Sequence, residues 1–441
     1  MSRRVIISGL GPVSALGLGI DATWEQAVSG HSGVAGIRAF DASGFAARIG
    51  GEVRDFDIKA FVPKTYRKAT KVMARDIELA VAAADYAARD AGLVTKGTNP
   101  DAAPSYDPQR VGAQIGAGLI AAEVNELTGA LAHATDDAGR FDFAKWGQEG
   151  MGHLTPLWLL KYLPNMLACH VTIIHDTQGP SNTITCNEAS ATLSIGESLR
   201  VIQRGQADAS FCGGADSKLN PMALLRQIFT GLLNTTEVDQ ANPAGAVRPF
   251  SADAAGGAVG EGGGIVILET LDTFQKRGGE RAYAEVVGFG ASQTVNPAAR
   301  NVTPDAQGRG IAHAIRAALR EAKVSPSEVG LIVPYGIGSP LTDQAEAAAL
   351  AAVFAGELGR IPVISSKALA GNCSAGSGGL DVCLAAKAIH AQRLPAVVNC
   401  SSPIGGLRAG SADSVEAVIR HAVVYSTGLG GQNAALVLRR L

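Results

Sequence analysis

The sequence predicts a layered α/β fold, and three observations support this prediction. Strand-like apolar runs alternate with alanine-rich helical runs along the 441 residues. Hydrophobic residues make up 46% of the chain and charged residues 18%, which is typical of a globular protein with a large core. Four segments of the first half also recur in the second half in the same order, which indicates a duplicated unit.

The internal repeat defines the predicted domain organisation. Its pairs are VIISGLGPVSALG with AEVVGFGASQTV, VGAQIGAGL with VGLIVPYGIGS, the run from SNTITC with the run from ISSKAL, and GIVILE with AALVLRRL. We expect an N-terminal half over residues 1–272, with an inserted subregion at about 120–165, and a C-terminal half over residues 280–441. Two such halves would pack their sheets face to face through shared helices.

Local patterns place the main helices and limit the roles of two other motifs. Helical periodicity predicts helices over residues 71–91, 189–204, 310–322 and 343–355. The stretches SGLGPVSALG and GAVGEGGGIVILE lack the following helix that a dinucleotide site requires, so tight turns at sheet ends are the better account. His170 and His175 lie in a stretch with β character, and we expect them to be ordinary core or surface residues.

Charge and cysteine spacing exclude several classes of protein. A net charge of −2 gives no strong attraction for nucleic acid or for an anionic membrane. The apolar stretch 156–174 contains Lys161 and Pro164, which break a membrane span, and no signal peptide is visible. The six cysteines and eight histidines show no metal-ligand or disulfide spacing, so we expect no metal and a cytoplasmic location.

The stretch SNTITCNEASATLSIGESLR, residues 181–200, is the strongest candidate for a functional turn. Residues 181–185 predict a strand, and the helix from 189 follows directly, so Cys186, Asn187 and Glu188 lie at a helix N-terminus. Such a position favours an anion or a thiolate. From spacing alone, Cys186 is either a nucleophile or a small buried apolar residue, and Glu188 is either an active-site carboxylate or a helix-stabilising charge.

Four motifs together resemble the β-ketoacyl synthases of fatty-acid and type II polyketide synthesis. They are the run from GPSNTITCNEAS to CGGAD, then PYGIGSPLTDQAEAAAL, SSKALAGNCSAGSGGLD and STGLGGQNAALVL. The resemblance covers nearly the whole chain in the same order. It implies the thiolase fold, a duplicated α/β unit with a five-layer αβαβα architecture that is normally dimeric.

The resemblance also assigns the catalytic positions. Its nucleophilic cysteine stands nine residues after the glycine of the first motif, here Gly179, and that position holds Glu188. Cys186 falls two residues early, which we expect to be on the strand. The two catalytic histidine positions hold Tyr335 and Asn372. The resemblance therefore implies a synthase scaffold without its three catalytic side chains.

Other family positions are retained. Glu346 and Lys367 occupy the positions of a structural ion pair. The loop GLGGQN stands for the family's GFGGTN gating loop, with Leu429 at the gating aromatic position; its residues are Gly428, Leu429, Gly430 and Gly431. We expect Glu188 to place its carboxylate on the N–H groups at the start of the following helix.

These features favour a chain-length-factor-like subunit of a ketosynthase heterodimer. Many such subunits have glutamine at the nucleophile position, so glutamate departs from the pattern. The expected partners are an active ketosynthase and an acyl carrier protein that carries the phosphopantetheine, with no cofactor bound by this chain and residues 116–167 as tunnel and dimer elements. Two alternatives remain open: a divergent β-ketoacyl-ACP synthase or acyltransferase using Cys186, and a non-catalytic scaffold that binds acyl carrier protein.

Overall fold

A central 12-stranded sheet organises the chain in the computed structural model, which describes residues 3–295 and 304–441. A separate two-stranded ribbon is formed by β11 and β12. The strands are β1 (Val5–Ser14), β2 (Gly17–Leu18), β3 (Val34–Gly36), β4 (Ile49–Gly51), β5 (Val111–Gly116), β6 (Ser181–Ile184), β7 (Ala209–Ser217), β8 (Val259–Thr270), β9 (Ala284–Gln293), β10 (Val329–Val333), β11 (Arg393–Leu394), β12 (Val415–Glu416), β13 (His421–Thr427) and β14 (Gln432–Arg439).

The sheet consists of two equivalent halves. One runs in the order β1-β8-β7-β5-β6 and the other in the order β9-β14-β13-β10. They join where β1 pairs with β9, at Ile6 with Glu285 and at Ile7 with Ala284. The repeated segments of the sequence fall on β1 and β9, on β5 and β10, and on β8 and β14. The predicted layered and duplicated α/β class is therefore confirmed.

Helices cover both sheet halves and fill the space between them. The helices are α1 (Ile20–Ser29), α2 (Arg75–Asp90), α3 (Val124–His133), α4 (Phe143–Gln148), α5 (Met166–His175), α6 (Ser190–Gln203), α7 (Pro221–Ile228), α8 (Glu237–Ala241), α9 (Leu271–Lys276), α10 (Arg309–Ala322), α11 (Pro340–Phe354), α12 (Lys367–Ala370) and α13 (Ser377–Ala391). α6 and α13 lie between the halves, α2 packs on β1 and β8, and α10 packs on β9 and β14. The five layers are therefore the helix layer with α2, one sheet half, the central layer of α6 and α13, the other sheet half, and the helix layer with α10.

The predicted helix over residues 71–91 begins later than expected. α2 starts at Arg75, and the preceding Lys64–Val72 forms 3₁₀ turns with no buried side chain. The buried face of α2 is formed almost entirely by alanine and aliphatic residues. The helix therefore begins where the chain first has an apolar face to place against β1. The other three predicted helices correspond to α6, α10 and α11.

The stretch around His170 and His175 is helical, so its predicted β character is wrong. Both side chains are buried on α5, whose residues Leu167, Val171 and Ile174 pack into the core beside α2. Residues with high strand propensity are helical here because tertiary burial overrides propensity. In the described ranges 3–295 and 304–441, no helix has the length and apolarity needed to cross a membrane.

The glycine-rich stretches lie mostly inside strands, so the expectation of turns at sheet ends is confirmed only at Ala15 and Leu16, which form the tight turn between β1 and β2. SGLGPVS lies in β1 and GEGGGIVILE lies in β8, and both strands are buried throughout. A Cβ on Gly11 would lie 2.0 Å from the carbonyl oxygen of Ala83 on α2. A Cβ on Gly379 of α13 would likewise lie 2.0 Å from the carbonyl oxygen of Gly264. These glycines permit backbone contact between helix and strand.

The predicted inserted subregion, at about residues 120–165, carries α3, α4 and two short 3₁₀ segments. The Glu126 carboxylate holds it together, since it accepts hydrogen bonds from Lys161 Nζ and from the Tyr162 hydroxyl, each at 2.6 Å. The subregion also has an unusual number of exposed large apolar side chains: Val124, Leu131, Phe141, Phe143, Met151, Leu157 and Leu159.

Close packing between α13 and β8 predicts the effect of one added methyl group. We expect Gly379→Ala to lower the free energy of unfolding by about 1–3 kcal/mol, because the Cβ has no room against rigid backbone. Gly44→Ala is the matched control, since a Cβ there meets nothing within 4 Å. Urea unfolding of both variants measures the difference, and equal stability of the two would refute the close contact.

Candidate active site

The turn after β6 has the same backbone form as a turn in the second half. Asn187 has φ 47°, and a 3₁₀ turn over Asn187–Ala189 leads into α6. Ser374 has φ 45°, and a 3₁₀ turn over Ser374–Gly376 leads into α13. Ser190 closes the first turn, since its Oγ accepts from the Cys186 N–H at 2.8 Å. The two central helices therefore begin at related turns on the same side of the sheets.

Cys186 lies in this turn and not on the strand, which ends at Ile184. Its side chain is half-buried. Burial raises the pKa of the Cys186 thiol above its ordinary value. This environment favours the thiol over the thiolate, and the thiolate is the nucleophilic form.

Glu188 is buried, with 2% of its surface exposed. Its Oε2 has no hydrogen-bond partner among the described residues, so the expected capping of the α6 N–H groups is not seen. Burial raises the pKa of the Glu188 carboxyl and outweighs the opposing effects of its own N–H, of the Lys218 charge and of the Leu429 N–H. Burial therefore shifts this carboxyl toward its protonated form relative to an exposed glutamate.

Tyr335 and Asn372 lie next to each other, as the resemblance implies. Asn372 Nδ2 donates to the Tyr335 hydroxyl at 3.4 Å. Asn372 Oδ1 accepts from the Ser374 N–H at 3.0 Å and from Ser377 Oγ at 2.9 Å, which fixes the amide orientation. Burial, followed by the negative charge of Glu188, raises the pKa of Tyr335 well above 10. Near neutral pH the pair provides a phenol and an amide, and neither exchanges a proton as an imidazole does.

The gating loop covers the same pocket. Leu429 packs against a small apolar cluster of Leu232, Tyr335 and Ile337. A Cβ on Gly428 would lie 3.4 Å from Glu188 Oε2, so this loop passes directly over the carboxyl. The structure therefore brings together Glu188, Tyr335, Asn372 and the 428–431 loop, while Cys186 lies on the turn that precedes Glu188.

Glu346 and Lys367 do not pair with each other, which corrects the sequence interpretation. Lys367 Nζ forms a buried ion pair with Asp381 and also donates to the Pro334 carbonyl at 3.4 Å. The Glu346 carboxyl accepts from the Gly336 N–H, at 3.0 and 3.1 Å to its two oxygens. Burial, together with the charge of Asp343, raises the pKa of Glu346 to about 8. The two residues therefore hold the backbone on either side of Tyr335.

Sequence reasoning missed a buried charged pair beneath the site. Lys218 Nζ contacts Asp216 Oδ1 at 2.5 Å, and Asp216 Oδ2 accepts from the Ala375 N–H at 3.1 Å. This pair links β7 to the turn that precedes α13. Its signal in the sequence is the acidic and basic residues that directly follow the apolar run SFCGGA. Asp381 was also missed because nothing local marks it as the partner of Lys367.

Comparisons with known proteins agree with this geometry. The family model for the β-ketoacyl synthase N-terminal domain matches residues 2–273, and that for the C-terminal domain matches residues 283–401. The chain therefore belongs to the β-ketoacyl synthase family, and its layered architecture is the thiolase fold.

Individual relatives match over their whole length. A 3-oxoacyl-[acyl-carrier-protein] synthase 2 of Staphylococcus aureus is 28% identical and covers 100% of this chain and 99% of its own. The synthase of the same name from Synechocystis is 30% identical and covers 99% and 98%. A solved structure described as the ishigamide ketosynthase/chain length factor is 27% identical, with a TM-score of 0.82 over 100% of both chains. A β-ketoacyl synthase from Burkholderia phymatum, at 24% identity and a TM-score of 0.84 over 100% of both chains, shares the fold.

The burial of Glu188 predicts a dependence of stability on pH. The unfolded chain releases this proton near pH 4.5, whereas the folded chain holds it to higher pH. The proton's stabilising effect is therefore complete below pH 4.5 and is lost as pH rises through the native pKa. We expect the free energy of unfolding of Glu188→Gln to increase relative to that of the unmodified chain as pH rises from 4.5 through the native pKa, because only the unmodified chain loses this contribution.

Urea unfolding across that pH range measures this effect. Glu197→Gln is the control, because the Glu197 side chain is 39% exposed and pairs with Arg204 at 3.0 Å. A relative stability of Glu188→Gln that stays constant with pH would mean that Glu188 is ionised in the folded protein.

Proposed function

We propose that this chain is a non-condensing, chain-length-factor-like subunit that pairs with an active ketosynthase to elongate acyl chains on an acyl carrier protein. The observation that carries the proposal is that Glu188, Tyr335 and Asn372 lie close together beside the 428–431 loop. The resemblance places a nucleophilic cysteine and two histidines at those three positions. The names of the relatives support chain elongation in fatty-acid or polyketide systems as the wider setting.

Condensation chemistry argues against independent activity. The reaction needs a thiol that holds the acyl chain, and it needs donors that stabilise the charge formed on decarboxylation. A neutral Glu188 carboxyl cannot hold a thioester, and an ionised one would repel the malonyl carboxylate. Tyr335 and Asn372 keep hydrogen-bonding groups but give no group that titrates near neutral pH. The chemistry would therefore come from the partner subunit.

The scaffold around the pocket is nevertheless kept intact. The Lys367–Asp381 ion pair and the Glu346–Gly336 hydrogen bonds still position the backbone beside Tyr335. Buried ionic groups of this kind are costly unless each is paired or hydrogen-bonded, so the arrangement favours a fold maintained for assembly. The presence of these buried contacts without the catalytic side chains supports a structural role for this subunit.

Exposed features fit association with a second chain. Within residues 3–295 and 304–441, β6 has β5 as its single sheet neighbour, and its outer edge has exposed Ser181 and Asn182. Around that edge and on the inserted subregion, large apolar side chains are exposed, including Leu119, Ile173 and Phe143. Open strand edges and apolar patches are usually covered by a partner. An active ketosynthase would cover them, and the acyl carrier protein would deliver the phosphopantetheine-bound substrate.

The first prediction from this proposal concerns acylation. The isolated chain should form no stoichiometric covalent adduct when incubated with an acyl carrier protein loaded with a labelled acyl chain, because the pocket presents no thiolate. Intact-mass measurement tests this expectation. Cys186→Ala provides the control for background labelling. An adduct that disappears in Cys186→Ala would instead support a divergent acyltransferase that uses this cysteine.

The second prediction concerns partner formation and product length. The chain should form a 1:1 heterodimer with its ketosynthase, and Ala121→Phe or Leu127→Trp should shorten the product. Ala121 is buried and Leu127 is half-buried in the segment after β5, so a larger side chain would fill the space that an acyl chain requires. Ala132→Trp is the control, since Ala132 is exposed on α3.

Complex mass and product length from the reconstituted pair decide this prediction. If complex formation and turnover persist while no substitution in residues 116–130 alters product length, the chain-length role fails. If the chain binds acyl carrier protein but no ketosynthase, the scaffold alternative is favoured instead.

A further inference from the structure

Lys218 is a buried lysine whose hydrogen bonds reach beyond its ion pair. It follows β7, and 7% of its surface is exposed. Its Nζ contacts Asp216 Oδ1 at 2.5 Å and also donates to the Leu119 carbonyl at 3.3 Å. Leu119 belongs to the loop of residues 117–119, which connects β5 to the predicted inserted subregion. The charged end of Lys218 is therefore used inside the protein, where it holds one end of that loop.

The stretch after β7 makes a second contact with the start of the inserted subregion. Asn220 Nδ2 donates to the Ala122 carbonyl at 3.4 Å. Between this contact and the one to the loop, Ile120 and Ala121 are buried. Lys218 and Asn220 therefore hold the chain on either side of the two residues at which it enters the core.

Gly118 brings the backbone of the loop directly onto the ion pair. A Cβ on Gly118 would lie 2.2 Å from Asp216 Oδ2 and 3.2 Å from Lys218 Nζ. On its other side the loop is held by α6, since the Ala117 carbonyl accepts from Ser190 Oγ at 3.2 Å. The loop therefore lies between the start of α6 and the ion pair, without room for a Cβ at Gly118.

Asp216 connects this loop to the candidate active site. Its Oδ2 accepts from the Ala375 N–H at 3.1 Å, in the 3₁₀ turn that follows Asn372. Asp216 is buried, so its ion pair with Lys218 is shielded from solvent. Removing one partner of such a pair leaves the other charge uncompensated, which is strongly destabilising. The pair therefore keeps the loop and the turn in one relative position.

We propose that Lys218 is a positioning residue that sets product length by fixing the 117–119 loop. The loop determines where Ala121 lies, and Ala121 is the residue at which a larger side chain is expected to fill the space for the acyl chain. With a free loop, that space would have no single depth, and chains of several lengths would fit. The role in product length rests on the function proposed above, whereas the holding of the loop is tested without a partner.

The double variant Asp216→Asn, Lys218→Met removes the ion pair without leaving a buried charge. The asparagine amide still accepts from the Ala375 N–H, while the methionine side chain offers no donor to the Leu119 carbonyl. Hydrogen-exchange mass spectrometry of the full chain measures the effect on the loop. We expect the amides of residues 117–131 to exchange at least about fivefold faster than in the unmodified chain, the fold-change that one net hydrogen bond gives.

Gly118→Ala displaces the loop from the other direction and leaves both charges in place. The added Cβ does not fit against Asp216 Oδ2, so the loop must move, and we expect the same faster exchange over residues 117–131. Thermal unfolding shows whether each variant is folded, and if the double variant is not, Gly118→Ala decides the test.

Each variant has a matched control, and product length is measured in the complex reconstituted with the ketosynthase. Lys387→Met removes a lysine that pairs with Asp21 at 3.2 Å near the other end of α13, and Gly44→Ala adds a Cβ that meets nothing within 4 Å. Both controls should exchange like the unmodified chain and give one main product. The double variant and Gly118→Ala should give shorter and longer products beside the main one, which differs from the shortening expected for Ala121→Phe.

Three outcomes would overturn the proposal, and they separate it from the proposed function. Unchanged exchange over residues 117–131 in the folded variants would show that Lys218 does not hold the loop. Faster exchange with an unchanged product, in a complex for which Ala121→Phe shortens the product, would remove Lys218 from a chain-length role that still stands. A chain that forms no complex with a ketosynthase would remove the proposed function and the length role of Lys218 together, while the exchange rates would still report on the loop.

Discussion

Backbone contact between the central helices and the sheets is the constraint on which the rest of this structure depends. α13 touches β8 where Gly379 faces Gly264, and α6 touches β5 where a Cβ on Gly116 would lie 2.5 Å from the Ala191 nitrogen. Interiors packed this closely leave no room for adjustment. Because both helices begin at turns of the candidate site, the contacts also set the positions of Glu188 and Asn372. The geometry of the pocket is therefore fixed by residues that have no side chains.

Sequence patterns predicted the parts of the fold in which local preference and burial agree. α6 and α10 have apolar residues at helical spacing, and the repeated segments identified equivalent strands in both halves. The prediction for the α5 segment was wrong because its β-branched run around Val171 favours a strand locally, while packing beside α2 makes the segment helical. The predicted start of α2 was wrong because nothing in the sequence marks the residue at which the helix first packs against β1.

The candidate site also has features that could be predicted from the sequence and features that could not. The family resemblance assigned Glu188, Tyr335 and Asn372 to the three catalytic positions, and the structure brings these residues close together. Their surroundings could not be predicted, because they depend on residues distant in sequence. Asp381 takes the place expected for Glu346 as the partner of Lys367, and the raised pKa of Glu188 follows from its burial beneath the 428–431 loop. Residue identity is a local property, whereas pairing and pKa are properties of the whole fold.

The central position of β1 has a consequence for how the chain is made. β1 holds residues 5–14, and apart from a two-residue hairpin with β2 its sheet neighbours are β8 and β9, which end at residues 270 and 293. During synthesis on the ribosome, most of this apolar strand therefore stays unpaired until β8 and β9 have been translated. Such long-range pairing is slow and leaves unpaired backbone open to aggregation. β1 is therefore a segment that a chaperone would protect during synthesis.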